Sequence, residues 1–407
     1  LIPVMLDMRE KGVKVNVDGA EMAKKKLVEL KKGVTYDIQH ETGVKIEPWV
    51  ARSVASVFDH YGIYYNRTEN NGQPSFTKAF LQACPHPIAA KILRLRELDK
   101  ATNTFIDNIL KFAHNGRIHC EFHQLRSDDG GTVTGRFSSS NPNLQQIPAR
   151  DPEIKAMIRG LFVPDEGCKW GSFDYSSQEP RLLVHWCASV GKKYRSPMID
   201  EVVAEYHRGD ADFHQMVADM AGISRKQAKT VNLGIMYGMG VGKLSHTMDI
   251  DTKEAKELLN TYHDKVPFVK SLADLVSTQA SKFGQIRTIS GRMCRFDMWE
   301  PRTFGYNKPM KREEAEKEYG PVLRRAFTYK ALNRLIQGSA ADQTKVAMAE
   351  CYKEGLVPLL TVHDELCFNV ESEEQASKIK EIMETSMELK VPSKVDQELG
   401  DNWGQVG

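Results

Sequence analysis

The pattern of hydrophobic and polar residues predicts a chain of mixed helices and strands. Residues 1–17 indicate a short helix, a turn at Gly12 and a strand through Val13, Val15 and Val17. Residues 19–112 have a mostly helical, charged pattern, residues 182–283 indicate helices with short breaks, and residues 331–349 indicate one strong helix. Residues 285–327 are mixed, and the charged run at 308–325 is typical of an exposed insertion.

Two apolar stretches lead into carboxylates. Residues 169–173 predict a buried strand that stops before Asp174, and residues 357–370 predict a β-hairpin with His363, Asp364 and Glu365 at its tip. Oxygen ligands on rigid strand ends suit Mg²⁺. Each acid also has an ordinary explanation, since Asp often caps a helix and acids at a hairpin tip are often only solvated. Together, two carboxylates at strand ends favour two-metal phosphoryl transfer.

The helical segment 225–238 carries a candidate nucleotide-binding face. Positions four apart share a helix face, and here they hold two cations, an aliphatic side chain and an aromatic hydroxyl: Arg225, Lys229, Leu233 and Tyr237. Cations suit the phosphates of a nucleoside triphosphate, and the other end suits its sugar and base. An amphipathic helix with a basic side fits the spacing equally well. Gly234 and Gly238 indicate close approach to another group.

A long polar stretch at 130–148 follows a predicted strand at 118–124. Arg136 is its only charged residue, and its amides and hydroxyls can contact sugar, phosphate and minor-groove base edges. A surface loop is the alternative, although loops of this length usually have a function or are disordered. Asn333 and Gln337 share one face of the 331–349 helix, as buried amides that satisfy each other or bind acceptors on a ligand. Basic helices before residue 112 could grip a phosphate backbone or be simply solvated.

Composition excludes several classes of protein. The chain has 407 residues, 41% of them hydrophobic, which is enough for two or three subdomains, and no segment reads as a membrane span or signal peptide. A net charge of +2 means that any nucleic-acid contact comes from local clusters. Seven scattered cysteines predict reduced thiols in a cytoplasmic setting and argue against structural zinc. Because the chain begins at Leu1, we expect a fragment whose N-terminal part was removed.

With these motifs assembled, the chain resembles the polymerase domain of family A DNA polymerases, the DNA polymerase I type, over nearly its whole length. DYSSQEPR at 174–181 and VHDEL at 362–366 resemble the family's two acidic motifs, and RKQAKTVNLGIMYG at 225–238 resembles its nucleotide-binding fingers helix. TGRFSSSNPNLQQIP at 134–148 is similar to its primer-template loop, and ALNRLIQGSAAD at 331–342 to its minor-groove helix. Asp401, Asn402 and Trp403 resemble its C-terminus.

The resemblance implies template-directed addition of dNTPs to a primer 3′-hydroxyl, with release of pyrophosphate. It implies two Mg²⁺ ions, replaceable by Mn²⁺, held by Asp174, Asp364 and the Tyr175 carbonyl, with Glu365 close by. Lys229 would protonate pyrophosphate. The implied substrate contacts are Arg225, His214, Tyr237, Leu233, Glu179, Tyr175 and Gln178. Among them, Glu179 and Tyr237 would form the sugar pocket, and Glu179 would act as a steric gate against ribose. The implied DNA contacts are Arg136, Asn143, Gln145, Arg181, Asn333, Gln337 and His363.

The implied fold is α+β with a right-hand architecture: a palm with an antiparallel sheet, and helical thumb and fingers. The palm would comprise residues 1–18, 113–185 and 328–407, the thumb 19–112 and the fingers 186–327. We expect a monomer that binds primer-template DNA and dNTPs and no membrane. The family's proofreading exonuclease would precede residue 1, and nothing in this chain could replace it.

Two positions depart from the family pattern. Members usually carry Phe or Tyr where this chain has Leu233, which leads to the hypothesis of altered discrimination against dideoxynucleotides. Tyr329 stands where many members have Arg, so a minor-groove contact is missing or altered. The SSQEP wording and the compact thumb favour a phage-encoded member. A single-subunit RNA polymerase is the nearest alternative, against which Glu179 argues. An inactive nucleic-acid-binding module is another, against which the intact acids argue.

Overall fold

Helices account for most of the chain in the computed structural model, which describes residues 1–125, 131–149, 151–209, 211–303, 305 and 307–406. Gly130, at the start of the predicted polar loop, lies outside these residues. The α-helices are α1 Ile2–Lys11, α2 Val17–Thr42, α3 Ala51–His60, α4 Lys78–Ala83, α5 Pro87–Lys100, α6 Asp107–Phe112, α7 Pro152–Arg159, α8 Gln178–Ser189, α9 Met198–Arg208, α10 Phe213–Ala221, α11 Arg225–Met236, α12 Val241–Met248, α13 Thr252–Lys265, α14 Pro267–Phe283, α15 Arg312–Tyr319, α16 Ala331–Lys353 and α17 Glu373–Thr385.

The strands are mostly short. They are β1 Val13–Lys14, β2 Asn66–Arg67, β3 Pro74–Ser75, β4 Ala113–His114, β5 Arg117–Ile118, β6 Glu121–His123, β7 Ser138–Ser140, β8 Lys169–Tyr175, β9 Gln285–Arg287, β10 Met293–Arg295, β11 Met298–Pro301, β12 Met310–Lys311, β13 Leu323–Arg325, β14 Leu360–Val362, β15 Glu365–Val370 and β16 Val395–Gly400. Four of them form the central sheet, in the order β14-β15-β8-β16 and antiparallel throughout.

The central sheet has two different faces because successive side chains alternate across a strand. Phe173 and Phe368 lie on one face and pack in a core with Met348 of α16 and Ile379 of α17. Trp170 belongs to the opposite face, where it stacks on Trp403 with ring centroids 5.8 Å apart. Ser172 and Asp174 of β8 follow Trp170 on that face, so the Asp174 side chain projects from the face opposite Phe173 and Phe368.

Three further hydrophobic cores flank this sheet. One joins helices α8 to α14 with the N-terminal half of α16 and includes Leu183, Val231 and Leu335. A second lies among α2, α5, α7 and the Trp170 face of the sheet. The third packs α3, α4 and α5 around Phe58 and Phe76. No helix among the described residues combines the length and the apolar character that a membrane span requires.

Most of the predicted elements are confirmed. The hairpin forms from β14 and β15 with His363 and Asp364 in the turn, and helices α11 and α16 cover the two helical motifs. The charged run at 308–325 becomes β12, α15 and β13, which carry mostly exposed side chains. Helical structure continues from α5 to α6 through a π-helical turn, Ala101–Ile106, which the pattern did not indicate.

Three predicted boundaries are wrong. The N-terminal strand ends at Lys14, because the Asn16 side chain accepts a hydrogen bond from the Gly19 amide at 2.8 Å and caps helix α2 from Val17. The predicted strand at 118–124 is split into β5 and β6. Strand β8 continues through Asp174 to Tyr175, because β15 pairs with it as far as Asp174 and β16 pairs with it as far as Tyr175.

Candidate active site

The central sheet gathers carboxylates across three strands. Asp174 of β8 lies directly opposite Glu365 of β15 on one side and opposite Asp396 of β16 on the other. Residues directly opposite each other in antiparallel strands project from the same face. Asp364 precedes Glu365 in the hairpin turn, and its carbonyl accepts a hydrogen bond from the Tyr175 amide at 3.5 Å. The two predicted acids therefore meet where β8 ends beside the β14–β15 turn, with Asp396 as a neighbour that the sequence analysis missed.

The hairpin turn that carries Asp364 is strained at His363. The register pairs Val362 with Glu365, so only His363 and Asp364 connect the strands. His363 adopts φ +58°, in the left-handed region that non-glycine residues rarely occupy. Backbone strain of this kind persists only where the surroundings enforce it, and it concentrates at functional sites. The buried strands on both sides enforce it here, and they fix the position of Asp364.

Burial and neighbouring negative charge raise the pKa of both Asp174 and Asp364. For Asp174, loss of surrounding water is the main cause and the negative charges of Asp364, Glu365 and Asp396 add to it, so that its pKa rises to about 8. Its side chain still has access to solvent from the open side of the sheet. The pKa of Asp364 is also raised by burial, although the positive charge of Arg136 opposes this. A bound cation would offset the repulsion among these carboxylates and favour their charged form.

The oxygen atoms at this site suit Mg²⁺, although the protein supplies few of them. Asp174, near the end of β8, and Asp364, in the adjacent hairpin turn, offer carboxylates. The ring of Tyr175 is buried on the opposite face, where its hydroxyl donates to the Met383 carbonyl at 2.6 Å, so only its backbone carbonyl could serve as a ligand. Within the described residues there is no group of three or more His, Cys, Asp and Glu side chains that could hold a metal. Mg²⁺ commonly binds through one or two carboxylates and keeps substrate oxygens and water as its other ligands.

Glu365 is less available than its neighbours. Its side chain is buried, and one carboxylate oxygen accepts a hydrogen bond from the Ser172 hydroxyl at 2.5 Å. The Cys367 thiol lies 3.3 Å from the same oxygen. Glu365 therefore contributes its charge to the environment of Asp174, and one of its carboxylate oxygens is engaged within the protein.

Helix α11 presents its predicted face to solvent. Ser224 and Gln227 form a capping box that fixes the start of the helix. Arg225 and Lys229 are exposed, Leu233 is half-buried, and Tyr237 follows the last helical residue with 42% of its surface exposed. The predicted helix is confirmed, and nucleotide binding by this face stays a prediction. Its cations stand at the helix N-terminus, where backbone amides add to a positive potential that attracts anions.

Asp212 organises the N-terminal end of this face. Its carboxylate accepts a hydrogen bond from Arg225 at 2.7 Å and caps helix α10 by accepting from the backbone amides of His214 and Gln215. These bonds outweigh the effect of partial burial and lower the pKa of Asp212. Burial lowers the pKa of His214. The positive charges of Lys229 and Arg225 lower it further, and the negative charge of Asp212 raises it. The structure thus brings His214 beside the two predicted phosphate-binding cations.

Glu179 joins the two halves of the site. One of its carboxylate oxygens accepts a hydrogen bond from Arg136 at 2.6 Å and the other from the Tyr237 hydroxyl at 3.1 Å. Partial burial and the charge of Glu179 raise the pKa of Tyr237, which keeps its hydroxyl protonated as a donor. Since Glu179 lies five residues after Asp174, this contact links the end of the α11 face to the acids on the sheet.

The two glycines of the 225–238 motif do allow close contacts, and both contacts are within the protein. A Cβ on Gly234 would lie 3.1 Å from the Met239 sulfur. Gly238 has φ +69°, and a Cβ there would lie 3.1 Å from the Tyr329 carbonyl oxygen. Tyr329, the residue that departs from the family pattern, is therefore packed against Gly238, the residue after Tyr237, and remains largely exposed.

Arg292 is a central residue of the site that the sequence analysis missed. Its guanidinium pairs with Asp342 of α16 at 3.0 Å and donates to the carbonyls of Thr134 at 2.7 Å and Gly338 at 3.1 Å. A Cβ on Gly135 would lie 2.7 Å from the guanidinium carbon. One side chain thus joins the β9–β10 hairpin, the loop that carries Arg136 and the helix that carries Gln337.

The other residues with predicted roles are divided between the cleft and the interior. Asn333 and Gln337 are half-buried on α16, so the expectation of buried amides is wrong. Asn143 caps the short helix Leu144–Gln146, and the Gln145 amide donates to the Thr361 carbonyl at 3.0 Å. Both lie near a cleft of about 650 Å³ between the α4–α5 region and the hairpin, lined in part by Lys78, Lys100, Gln145, Arg159 and His363.

Two residues with predicted roles are turned into the protein. Arg181 is buried, donates to the carbonyls of Ser176 and Pro392 and lies over the Tyr206 ring. Gln178 is also buried, and its amide bonds to the Ala340 carbonyl at 3.3 Å. The placement of both side chains disagrees with the direct contact to DNA or substrate that the resemblance implied. Their hydrogen bonds instead hold helix α8 against its neighbours.

Comparison with known proteins agrees with this arrangement. The family model described as DNA polymerase family A matches residues 21–405. The DNA-directed DNA polymerase of Pseudomonas phage M6 is 35% identical and matches 99% of this chain, which spans 65% of that protein's length. The thermostable DNA polymerase I of Thermus filiformis is 33% identical over 85% of this chain, which spans 40% of that enzyme.

A solved structure extends the likeness to three dimensions. The polymerase domain of Pol1 from M. smegmatis, in complex with DNA primer-template and dNTP, aligns with 99% of this chain and 70% of its own at a TM-score of 0.79 and 28% identity. The predicted α+β polymerase fold is confirmed. The acids Asp174 and Asp364, the cationic face of α11 and these matches all agree. The chain belongs to DNA polymerase family A.

Proposed function

We propose that the chain catalyses template-directed DNA synthesis, adding dNTPs to the 3′-hydroxyl of a primer. The observation that carries this proposal is the hydrogen bond from the Tyr237 hydroxyl to Glu179. It brings the end of the cationic α11 face to the start of α8, next to strand β8, which carries Asp174. A triphosphate on Arg225, Lys229 and His214 would then extend toward the acids.

In this proposal Asp174, Asp364 and the Tyr175 carbonyl hold two Mg²⁺ ions, or Mn²⁺ in their place. When bound, the ions activate the attacking hydroxyl and stabilise the departing pyrophosphate. Two observations support the assignment. The pKa values of both acids are raised, and the two acids lie together where β8 ends beside the β14–β15 turn. Glu365 maintains the negative potential around Asp174 from its buried position.

The side chains of helix α11 and His214 then bind the triphosphate, and one of them donates a proton to the leaving group. Arg225 and His214 bind phosphate oxygens, and Lys229 donates a proton to the leaving pyrophosphate as the primer 3′-oxygen forms its bond to the α-phosphorus. Lys229 has no ion-pair partner among the described residues, which leaves its ammonium group available. Leu233 lies against the sugar or base, with Tyr237 and Glu179 forming the rest of the pocket.

Duplex DNA would lie in the cleft between the helices of residues 19–112 and the sheet. We propose these helices as the thumb, residues 186–327 as the fingers, and residues 1–18, 113–185 and 328–407 as the palm. Arg136, Asn333 and Gln337 would bind minor-groove acceptors, which correct base pairs present alike. Asn143, Gln145 and His363 would position the strands from the hairpin side. If the gene is carried by a phage, as in the relatives of phage origin, the enzyme acts in the host cytoplasm as a monomer.

The test is extension of a labelled primer on a DNA template with Mg²⁺, run in parallel with dNTPs and with rNTPs. We expect extension with dNTPs alone, and loss of at least 10²-fold in rate for Asp364→Asn, because that change removes a charge from the metal site. Lys353→Gln, an exposed change at the far end of α16, is the control and should extend as the parent does. Extension at the full rate by Asp364→Asn would overturn the mechanism, and a preference for rNTPs would overturn the assignment of Glu179 as the gate.

A further inference from the structure

A row of buried hydrogen bonds runs behind the cationic face of α11. The Tyr262 hydroxyl of α13 donates to the Asn232 side-chain oxygen at 2.6 Å, and the Asn232 amide nitrogen lies 3.0 Å from His214 Nδ1. Tyr262 and Asn232 are both fully buried at 0% exposure, and His214 is half-buried. The row therefore links the hydrophobic core to the side chain beside Arg225 and Lys229.

The distances fix the orientation of the Asn232 amide. A separation of 2.6 Å is normal for O–H···O and short for N–H···O, so the Asn232 oxygen faces Tyr262 and its NH₂ faces His214. Burial raises the pKa of Tyr262 far above its ordinary value, which keeps the hydroxyl protonated as a donor. A reversed amide would place its NH₂ against a hydroxyl that has no other acceptor among the described residues.

The orientation of the amide determines the tautomer of His214. An NH₂ group can only donate, so Nδ1 must accept and the ring proton must lie on Nε2. Nε2 makes no hydrogen bond to the described part of the chain. The charged groups that face the ring are Asp212 on its own helix and Arg225 and Lys229 on α11, and α13 contributes the neutral Tyr262. Burial and the two cations keep the ring neutral.

We propose that Asn232 and Tyr262 are positioning residues that hold His214 as the Nε2–H tautomer, so that the neutral ring donates a hydrogen bond to a phosphate oxygen of the incoming nucleotide. The opposite tautomer would present a lone pair to an anion and would repel it. This inference rests on the proposed function for the role of His214 and on the buried hydrogen bonds alone for its tautomer.

The first test reads the tautomer directly. Long-range ¹H–¹⁵N correlation spectra of ¹⁵N-histidine-labelled protein identify which ring nitrogen bears the proton, and His214→Gln assigns the resonance. We expect a proton on Nε2 in the parent protein, whose Nε2 shift moves when dTTP is added. A proton on Nδ1 would overturn the proposal, whatever the enzyme's activity. A parent protein with the expected tautomer and no primer extension would overturn the proposed function and leave the tautomer assignment standing.

The second test reverses the donor. In Asn232→Asp the carboxylate accepts from both neighbours, so His214 should switch to Nδ1–H and its pKa should rise. We expect KM for dNTP to increase about tenfold above the new pKa with little change in kcat, and to recover at lower pH, where the imidazolium again carries a proton on Nε2. Tyr262→Phe should leave the amide free to rotate and give both tautomers, with a smaller rise in KM.

The control removes a different, partly buried hydrogen bond beside the same core. Trp186→Phe removes the bond from the indole N–H to the Ser339 hydroxyl, 3.1 Å long, and should leave both the His214 tautomer and KM unchanged. A folded Asn232→Asp protein with a switched tautomer and the parent's KM at every pH would overturn the proposal. If Asn232→Asp does not fold, the tautomer of the parent and of Tyr262→Phe still decides.

Discussion

Both oxygens of the Glu179 carboxylate are occupied within the protein, and this supports the proposed role of Glu179 as a rigid gate. Arg136 binds one oxygen and Tyr237 the other, and only 11% of the side chain is exposed. A Glu held from two sides loses most of its rotamer freedom before any substrate arrives. In its proposed role Glu179 would exclude a 2′-hydroxyl by its bulk, and its orientation depends on Arg136 and Tyr237 together.

At this residue we predict that discrimination against rNTPs depends on the size of the Glu179 side chain more than on its charge. Glu179→Ala should raise the rate of rNTP relative to dNTP incorporation by about 10- to 100-fold, because the space for a 2′-hydroxyl opens. Glu179→Gln has nearly the same volume and should keep most of the discrimination, although it weakens the pairing with Arg136. Single-nucleotide kcat/KM values for matched rNTP and dNTP measure both variants. Equal selectivity in Glu179→Ala and the parent would contradict the gate.

At the scale of elements, the pairing of Arg292 with Asp342 holds three separate segments in register. The side chain of Asp342 is only 5% exposed, and its second oxygen accepts from the Ser290 amide at 3.3 Å. Gly135 and Gly338 allow the guanidinium to approach their backbones. Since Arg136 follows Gly135 and Gln337 precedes Gly338, the same pairing sets the separation of two proposed minor-groove contacts.

We predict that removing one partner of this pair costs more stability than removing both. Arg292→Met should lower the free energy of unfolding by on the order of 3 kcal/mol, because it leaves a buried carboxylate without its cation. Arg292→Met combined with Asp342→Leu should recover part of that loss. Urea unfolding followed by circular dichroism measures both. Arg324→Met, which breaks an exposed pair with Glu300, is the control and should cost less than about 1 kcal/mol. A double variant less stable than Arg292→Met would contradict the prediction.

The elements also show what a sequence can and cannot predict here. Helix α11 and the β14–β15 hairpin follow from local periodicity and turn position, so their faces and tip were predictable. The extension of β8 through Tyr175 depends on pairing with β16, more than 200 residues later, and no local pattern encodes it. Arg292 and Asn232 looked like ordinary residues in their helix or turn, because their partners are 50 and 18 residues away. Arg181 was misjudged because the sequence gives no measure of burial.

At the scale of the whole molecule, the C-terminal segment before β16 is attached to helix α8 and through it to the hydrophobic core of helices α8 to α14. The Lys390 amide donates to His185 Nδ1 at 3.0 Å, and Arg181 donates to the Pro392 carbonyl at 2.7 Å. Asp396 follows this segment in the strand beside Asp174. The position of one acid therefore depends on contacts that cross from the core of helices α8 to α14 to the central sheet.

The His185 contact leads to a prediction about stability and pH. Burial, with a smaller contribution from Lys390, lowers the pKa of His185 to about 4, well below the ordinary value of 6.5. The unfolded chain therefore takes up a proton below pH 6.5 that the folded chain does not, and folding stability falls as the pH drops from 6.5 toward 4. We expect His185 to contribute a loss of about 2 kcal/mol in the free energy of unfolding between pH 7 and pH 5.

The measurement is urea unfolding of the parent and of His185→Gln at both pH values. Gln retains an oxygen that can accept from Lys390 and has no proton to gain, so the variant should lose less stability than the parent between pH 7 and pH 5. The change should differ by about 2 kcal/mol, while other titrating groups act on both proteins alike. His60→Gln alters an exposed side chain and should follow the parent. An identical fall in the parent and in His185→Gln would mean that His185 is protonated in the folded state, and that the link between α8 and the C-terminal segment does not depend on its neutral ring.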